Sequence, residues 1–174
     1  MCTTCPILLA TDMLSSHTTG EQFRKKISTS CKSSSVICLI TCRRRGQQYV
    51  GKTGQPLHCR INSHRFDIMH RRTEDSPMAV HFNSNAHSQA DMALMVIDQV
   101  HSHDPCLRKI QESRWIHTLG TSYPLGMNLR VDSLWNLPVP PVDLWETPCP
   151  LIRLDWLRHT PSRMYSISCV LFFI

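Results

Sequence analysis

The stretch from residue 48 to residue 65 constrains the fold more than any other part of the chain. It begins as an extended segment, turns at glycine and continues as a helix. Pro56 suits the first residue of that helix, because its missing amide would be unpaired there. Such a junction brings backbone amides, the phenol of Tyr49 and the cations Arg60 and His64 to one point. The stretch therefore predicts a site for phosphate rather than for a small apolar ligand.

The length and charge of the chain limit the number of domains and the kind of partner that we expect. A chain of 174 residues suffices for one domain with a proper core, so we expect a single compact domain with appended ends. Lys and Arg outnumber Asp and Glu by 19 to 13, and the excess is concentrated between residues 43 and 72. A local basic excess favours a polyanionic partner. The alternative is a solvated basic face that binds nothing.

The nine cysteines are odd in number and scattered, which is not typical of a secreted disulfide framework. The first residues lack the charged, apolar and small-residue order of a signal peptide, and no stretch reaches the ~18 apolar residues of a membrane span. We therefore expect an intracellular protein with mostly reduced thiols and no membrane partner. Cys2 and Cys5 form a CxxC pair, either half of a zinc site or two incidental thiols in a mobile lead-in.

Hydrophobic patterning predicts a short series of strands and helices. Residues 36–42 form an apolar run rich in branched side chains, typical of a strand buried on both faces. A polar turn ending in Gly46 and the extended pattern of residues 47–51 complete an antiparallel hairpin. The first helix then has an apolar stripe on one face, made of Leu57, Ile61, His64 and Ile68.

Three further elements follow in the same pattern. Ser76 can cap a short helix, and residues 92–100 favour a third strand. Asp104 is the N-cap of a last helix that opens with Pro105, runs to Leu119 and is closed by Gly120. This order predicts an α+β fold with a small three-stranded antiparallel sheet flanked by helices.

The same patterns divide the chain into three parts. Residues 1–33 are a polar lead-in with a possible cysteine-containing remnant, and residues 34–132 are the folded domain. Residues 133–174 form a Pro-rich tail in which closely spaced prolines break any regular element. We expect irregular N- and C-terminal extensions around one small domain.

Glu112 is the acidic residue that most needs an explanation. On a helical wheel it falls between Ile116 and Leu119, so its carboxylate lies along an apolar sector. A buried carboxylate is costly unless it is paired or holds a cation. The position predicts either a bound metal ion or an ion pair with Arg60 or Arg108.

As a set, these segments resemble the GIY-YIG nuclease domain, and most closely the version at the C-terminus of Penelope-like retroelement polyproteins. The segments are Val36 to Ile40, Gln48 to Thr53, Arg60 with His64, Glu112 to Ile116, and Gly126 to Asn128. The resemblance covers about residues 20–132, with the motifs in order. It implies a retroelement module that hydrolyses one DNA phosphodiester with a metal ion. It also implies DNA as the partner, a nuclear location if functional, and no small-molecule cofactor.

Carried over by position, the resemblance gives each residue a role. Tyr49 would orient or deprotonate the attacking water, Arg60 would hold the scissile phosphate, Glu112 would ligate one Mg²⁺ or Mn²⁺, and Asn128 would steady the site. A forked guanidinium suits phosphate oxygens, and a hard cation prefers oxygen ligands. Phosphate or DNA contacts are expected from four neighbours: Gly51, Lys52, His64 and Arg65. The alternatives are that Tyr49 is a plain strand aromatic, that Lys52 is a solvated turn residue and that His64 is a core histidine.

The chain departs from the family's pattern at two places. Cys38 stands where the first motif ends in tyrosine, and loss of a general base there predicts a rate lower by on the order of 10² to 10⁴. In the retroelement version, two cysteines and two histidines bind zinc. Cys42, His81 and His87 are present here, but Arg45 replaces the second cysteine. Three ligands hold zinc weakly unless another donor completes the tetrahedron, and the alternative is two ordinary surface histidines.

Two other interpretations of the whole chain stay open. The chain could be a catalytically dead, basic nucleic-acid-binding remnant of the same fold, since Cys38 removes a catalytic group. It could also fail to fold stably, because a zinc ligand is missing. Its oligomeric state is not indicated by the sequence.

Overall fold

The computed structural model describes residues 2–25, 27–74, 76–84, 87–102 and 104–129. Its strands and helices follow in this order: β1 (Met13–Ser15), β2 (Gln22–Arg24), β3 (Val36–Cys42), β4 (Gln48–Thr53), α1 (Leu57–Met69), α2 (Pro77–Phe82), β5 (Met92–Gln99) and α3 (Pro105–Leu119). None of the described helices is both long enough and apolar enough to cross a membrane.

Strands β3, β4 and β5 form one antiparallel sheet in the order β4-β3-β5. β3 is the central strand, which explains why six of its seven residues are buried. β4 is an edge strand, and in its register Cys38 lies opposite Gly51 and Ile40 opposite Tyr49. The predicted α+β fold, with a three-stranded antiparallel sheet and flanking helices, is confirmed.

The sheet has a core on each face, because successive side chains of a strand point to opposite sides. Val36, Cys38 and Ile40 face α1 and α2, which contribute Ile61 and Phe82 among others. On the other face, a second cluster joins the sheet to α3 and β1; it includes Ile37, Leu39, Val50, Ile116 and Leu14. The candidate functional site lies beside the edge strand β4, where this strand packs near α3.

The helix ends follow local capping chemistry. The Ser76 hydroxyl accepts a hydrogen bond from an α2 amide, and the Asp104 carboxylate accepts one from an α3 amide at 2.7 Å. Gly120 ends α3 with a φ of 61°, a left-handed conformation that favours glycine. The start of α1 differs from the sequence prediction: Pro56 has an extended ψ of 137° and therefore precedes the first helical residue, Leu57.

The N-terminal segment packs onto the domain. β1 and β2 form a two-stranded antiparallel hairpin, and Leu14 from β1 is buried in the core. The Ser16 hydroxyl donates a hydrogen bond to the Leu119 carbonyl at 2.8 Å. Strands of three residues carry too little periodicity to be recognised in a sequence. The predicted tail, residues 133–174, lies outside the described residues.

Candidate functional site

A cavity of about 270 Å³ opens beside β4. Three of the predicted catalytic residues line it: Tyr49 from β4, Glu112 from α3 and Asn128 from the segment after α3. Lys52 also lines it, together with Glu74 and Lys109, which are not among the predicted site residues. Lys109 lies three residues before Glu112, a spacing that places two residues on one helical face and could have indicated it. No local pattern indicates Glu74.

Tyr49 is positioned by its own strand and by α1. Its ring lies edge-on to the His64 ring, with centroids 5.6 Å apart. A Cβ at Gly51 would lie only 2.8 Å from the Tyr49 ring, so glycine is needed there to leave room. Burial raises the pKa of Tyr49 to about 12, although the charge and hydrogen bond of Arg60 act in the opposite direction. The phenol is therefore neutral at physiological pH and suited to orienting a ligand by hydrogen bonding.

Arg60 and His64 lie one turn apart on α1, as predicted, but in different environments. His64 is buried at 4% exposure, and burial together with the charge of Arg60 lowers its pKa to about 3. A neutral, buried imidazole is not a cationic contact for phosphate. Arg60 is partly exposed; its Nε is buried and has no hydrogen-bond partner in the part of the chain that the structure describes. Arg60 thus combines a partly exposed guanidinium with contact to Tyr49.

Glu112 has a basic partner inside the chain. Its Oε2 accepts a short hydrogen bond from Lys52 Nζ, and the side chains are 15% and 34% exposed. The sequence predicted a metal ion or an ion pair with Arg60 or Arg108, whereas the observed partner is Lys52. Arg108 instead donates a hydrogen bond to the Ser102 carbonyl. A cation that binds Glu112 must therefore compete with Lys52.

Asn128 clamps the outer edge of β4. Its Oδ1 accepts hydrogen bonds from the Val50 amide at 3.0 Å and from the Thr121 hydroxyl at 2.8 Å. Its Nδ2 donates to the Val50 carbonyl at 2.8 Å. Val50 lies between Tyr49 and Gly51, so the buried amide fixes the strand on which these residues lie. This arrangement suits the predicted steadying role rather than ligand binding.

Cys38 is fully buried on the central strand, and its Sγ donates a hydrogen bond to the Gly51 carbonyl at 3.4 Å. Burial raises the pKa of Cys38 to about 12, and the nearby Glu112 adds to that increase although Arg60 lowers it. A neutral, buried thiol cannot act as a base in place of the tyrosine that the resemblance implies.

Arg65 points to the N-terminal segment rather than to a ligand. Its Nη2 donates a hydrogen bond to the Thr3 carbonyl at 2.8 Å. Of the four expected phosphate contacts, Arg65 is bound within the chain, Lys52 is paired with Glu112, and Gly51 and His64 are buried. Arg60 is the cation near Tyr49 that the described contacts leave best placed for phosphate.

The predicted zinc ligands Cys42, His81 and His87 do meet in space. Their ligand atoms all lie within 4.8 Å of one another, although they come from β3, α2 and the loop after it. His81 Nε2 is buried and has no hydrogen-bond partner among the described residues. Burial, with the charges of His87 and Arg45, lowers the pKa of His81 to about 4, which keeps the ring neutral, so one of its two nitrogens carries no proton. One thiol and two imidazoles fit Zn²⁺, but the nearby guanidinium of Arg45 opposes a cation.

In comparisons with known proteins, no family model, no curated protein and no solved structure matches the chain.

Proposed function

We propose that this protein is a metal-dependent DNA endonuclease module whose activity is impaired at Cys38. The observation that supports this most directly is the convergence of Tyr49, Arg60 and Glu112 from three separate elements. The charges of Arg60 and Glu112 both act on the Tyr49 phenol, and Tyr49 and Glu112 share one cavity. A phenol, a guanidinium and a carboxylate at one place are the groups that hydrolysis of a phosphodiester needs.

In this proposal the chain's own residues bind and orient the DNA backbone. Arg60, which is partly exposed, donates to a phosphate oxygen through its guanidinium, whose forked N–H donors suit phosphate oxygens. Tyr49 directs its hydroxyl at the attacking water, and the Asn128 amide keeps β4 in register while DNA binds. The local excess of basic residues between positions 43 and 72 attracts the polyanion.

Glu112 is the proposed ligand for Mg²⁺ or Mn²⁺, which would supply positive charge for the attacked phosphate. A hard cation held by one carboxylate keeps several waters, so a single acidic ligand is compatible with such a site. Glu74 lines the same cavity and adds a second carboxylate to the proposed site. Metal binding at Glu112 requires that Lys52 release the carboxylate, and Lys52 then becomes available to phosphate.

A structural zinc at Cys42, His81 and His87 belongs to the same proposal. The unpartnered, buried Nε2 of His81 supports it, because a buried nitrogen without a partner is otherwise costly. Such an ion would tie α2 to the central strand. A chelator should lower the midpoint of thermal unfolding, and by less in a Cys42→Ser variant than in the parent protein; an equal loss in both would exclude zinc at this cluster.

The second candidate is a DNA-binding remnant that has lost the chemistry. Two observations favour it: Cys38 is buried and neutral, and Lys52 already neutralises Glu112. Both candidates bind DNA, so binding alone does not separate them.

Plasmid nicking separates the two. Purified protein is incubated with supercoiled plasmid and Mg²⁺ or Mn²⁺, beside Glu112→Gln and a matched control, Glu21→Gln, at an exposed acidic residue of the β1-β2 turn. Nicking by the parent and the control, with loss in Glu112→Gln, supports the endonuclease. Binding without nicking, with nicking restored by Cys38→Tyr, supports the remnant. Absence of DNA binding in every variant refutes both.

The salt dependence of binding tests the role of Arg60 independently of cleavage. Each phosphate contact contributes a slope of about −0.9 to the logarithm of the affinity against the logarithm of salt concentration. Arg60→Gln should reduce the magnitude of this slope by about 0.9, the value for one phosphate contact. Arg24→Gln, at an exposed arginine of β2, should leave the slope unchanged. Equal slopes for parent and Arg60→Gln would exclude a phosphate contact at Arg60.

A further inference from the structure

A second group of metal-binding side chains lies at the N-terminal end of the molecule. The thiols of Cys2, Cys5 and Cys31 lie within 4.8 Å of one another. Cys31 Sγ is 3.6 Å from Cys2 Sγ and 3.3 Å from Cys5 Sγ. The CxxC pair therefore has a third cysteine beside it, although that residue lies 26 positions further along the chain.

The sulfur spacing suits a tetrahedral zinc ion. With a Zn–S bond of about 2.3 Å, two thiolates at neighbouring corners of a tetrahedron lie about 3.8 Å apart. The observed separations of 3.3 and 3.6 Å come close to that edge length and need only small rotations of the side chains. A disulfide would require sulfurs about 2.05 Å apart, so the arrangement is that of three separate thiols.

Hydrogen bonds hold both cysteine segments against α1. The Cys31 carbonyl accepts hydrogen bonds from the His58 amide at 2.9 Å and contacts the His58 ring at 3.0 Å. On the other side, Arg65 binds the Thr3 carbonyl at 2.8 Å, between the two cysteines of the CxxC pair. The chain therefore brings the three thiols together through backbone contacts that do not involve the sulfurs.

The fourth position of such a site has room for water. A cavity of about 280 Å³ lies beside the cluster and is lined by Cys2, Cys31, His58 and Asn62, among others. Cys31 is buried, whereas Cys2 and Cys5 are exposed, so an ion can enter from solvent and reach all three sulfurs. Thiolate ligands favour a soft ion such as Zn²⁺ over Mg²⁺ or Mn²⁺.

We propose that Cys2, Cys5 and Cys31 bind one Zn²⁺ ion through three thiolates, with a water from the adjacent cavity as the fourth ligand. The ion joins the first residues of the chain to the loop that precedes β3. Because that loop and Thr3 both contact α1, the zinc fixes the N-terminal segment against the helix that carries Arg60. This site is separate from the Glu112 cavity and from Cys42, His81 and His87, and it does not depend on the proposed nuclease function.

Cobalt titration of the full, reduced chain tests the proposal. Co²⁺ substitutes for Zn²⁺ and gives thiolate-to-metal charge-transfer absorption whose intensity reports the number of bound thiolates. Cys31→Ser and Cys5→Ser should each lose about one equivalent of bound metal. Cys106→Ser, at an exposed cysteine of α3, should match the parent. Cys42→Ser should remove only metal bound at the other cluster, so the losses should add in a Cys5→Ser/Cys42→Ser double variant.

Two results would overturn the proposal. One is that Cys5→Ser and Cys31→Ser bind as much Co²⁺ as the parent, with the same charge-transfer intensity. The other is that Zn²⁺ raises the midpoint of thermal unfolding equally in the parent and in Cys5→Ser. Cys5 is exposed, so its replacement by serine leaves the core intact and keeps the test valid if Cys31→Ser does not fold.

Discussion

Acidification should destabilise the protein through His64. This histidine is 4% exposed, and its Nε2 has no hydrogen-bond partner within the described residues, so the native state strongly prefers the neutral ring. Burial and the charge of Arg60 lower its native pKa to about 3, against an ordinary value of 6.5. The unfolded chain then binds the proton more tightly, and the free energy of unfolding falls as the pH decreases below about 6.5.

The two pKa values set the size of the effect. Because His64 binds a proton more weakly in the folded chain, its contribution lowers the free energy of unfolding by about 2 kcal/mol between pH ~7.5 and pH ~5. This loss continues to grow until the pH approaches the pKa of His64 in the folded chain. His81 adds to the fall with the same sign, because its native pKa is lowered to about 4. In the neutral pH range both rings are largely uncharged in the folded and the unfolded chain, so these two residues should hardly change the free energy of unfolding there.

Urea unfolding followed by far-ultraviolet circular dichroism measures this loss at a series of pH values. His64→Met replaces the ring with an apolar side chain of similar size, so its free energy of unfolding should fall by about 2 kcal/mol less than the parent's over that interval. His101→Met, at an exposed histidine, should keep the parent's full pH dependence. The readout is the slope of the free energy of unfolding against pH, because a packing defect in His64→Met would lower that free energy equally at every pH. Equal slopes for His64→Met and the parent would refute the reasoning.

Three further variants test the contacts around the cavity. Asn128→Ala leaves buried backbone groups of β4 unpaired and should cost about 3 kcal/mol in urea unfolding; a cost below about 0.5 kcal/mol would contradict the clamp. Gly51→Ala should displace the Tyr49 ring, because the added Cβ would lie 2.8 Å from it, and should weaken DNA binding; unchanged affinity would show that the ring position does not matter. Lys52→Met should strengthen Mn²⁺ binding at Glu112 about fivefold, the equivalent of the ~1 kcal/mol of a partly exposed ion pair, in calorimetric titration. Weaker Mn²⁺ binding would mean that Lys52 does not compete for the carboxylate.

Much of the fold could be predicted because its signals are local. The branched apolar run of β3, the capping residues Ser76 and Asp104, and the glycine that ends α3 each act within a few residues. The N-terminal hairpin could not be predicted in this way. Its strands have three residues each, and they are stabilised by contacts of Leu14 with a core formed by distant segments.

The candidate site was predicted less completely than the fold. A resemblance in motif order indicated Tyr49, Arg60, Glu112 and Asn128, and three of these line one cavity. It did not indicate which partner each side chain would have. The Lys52 ion pair depends on how close α3 packs to β4, and the difference between buried His64 and partly exposed Arg60 depends on how α1 lies on the sheet.

The sequence alone determined the order and kind of the elements from β3 to α3, and with them the α+β class, because periodicity, caps and turns act over a few residues. Only the tertiary structure decided which side chains meet: Asn128 with Val50, Lys52 with Glu112, and Cys31 with the CxxC pair. These partners are 78, 60 and at least 26 residues apart. Contacts over such separations have no local signal, because they depend on the packing of the whole core.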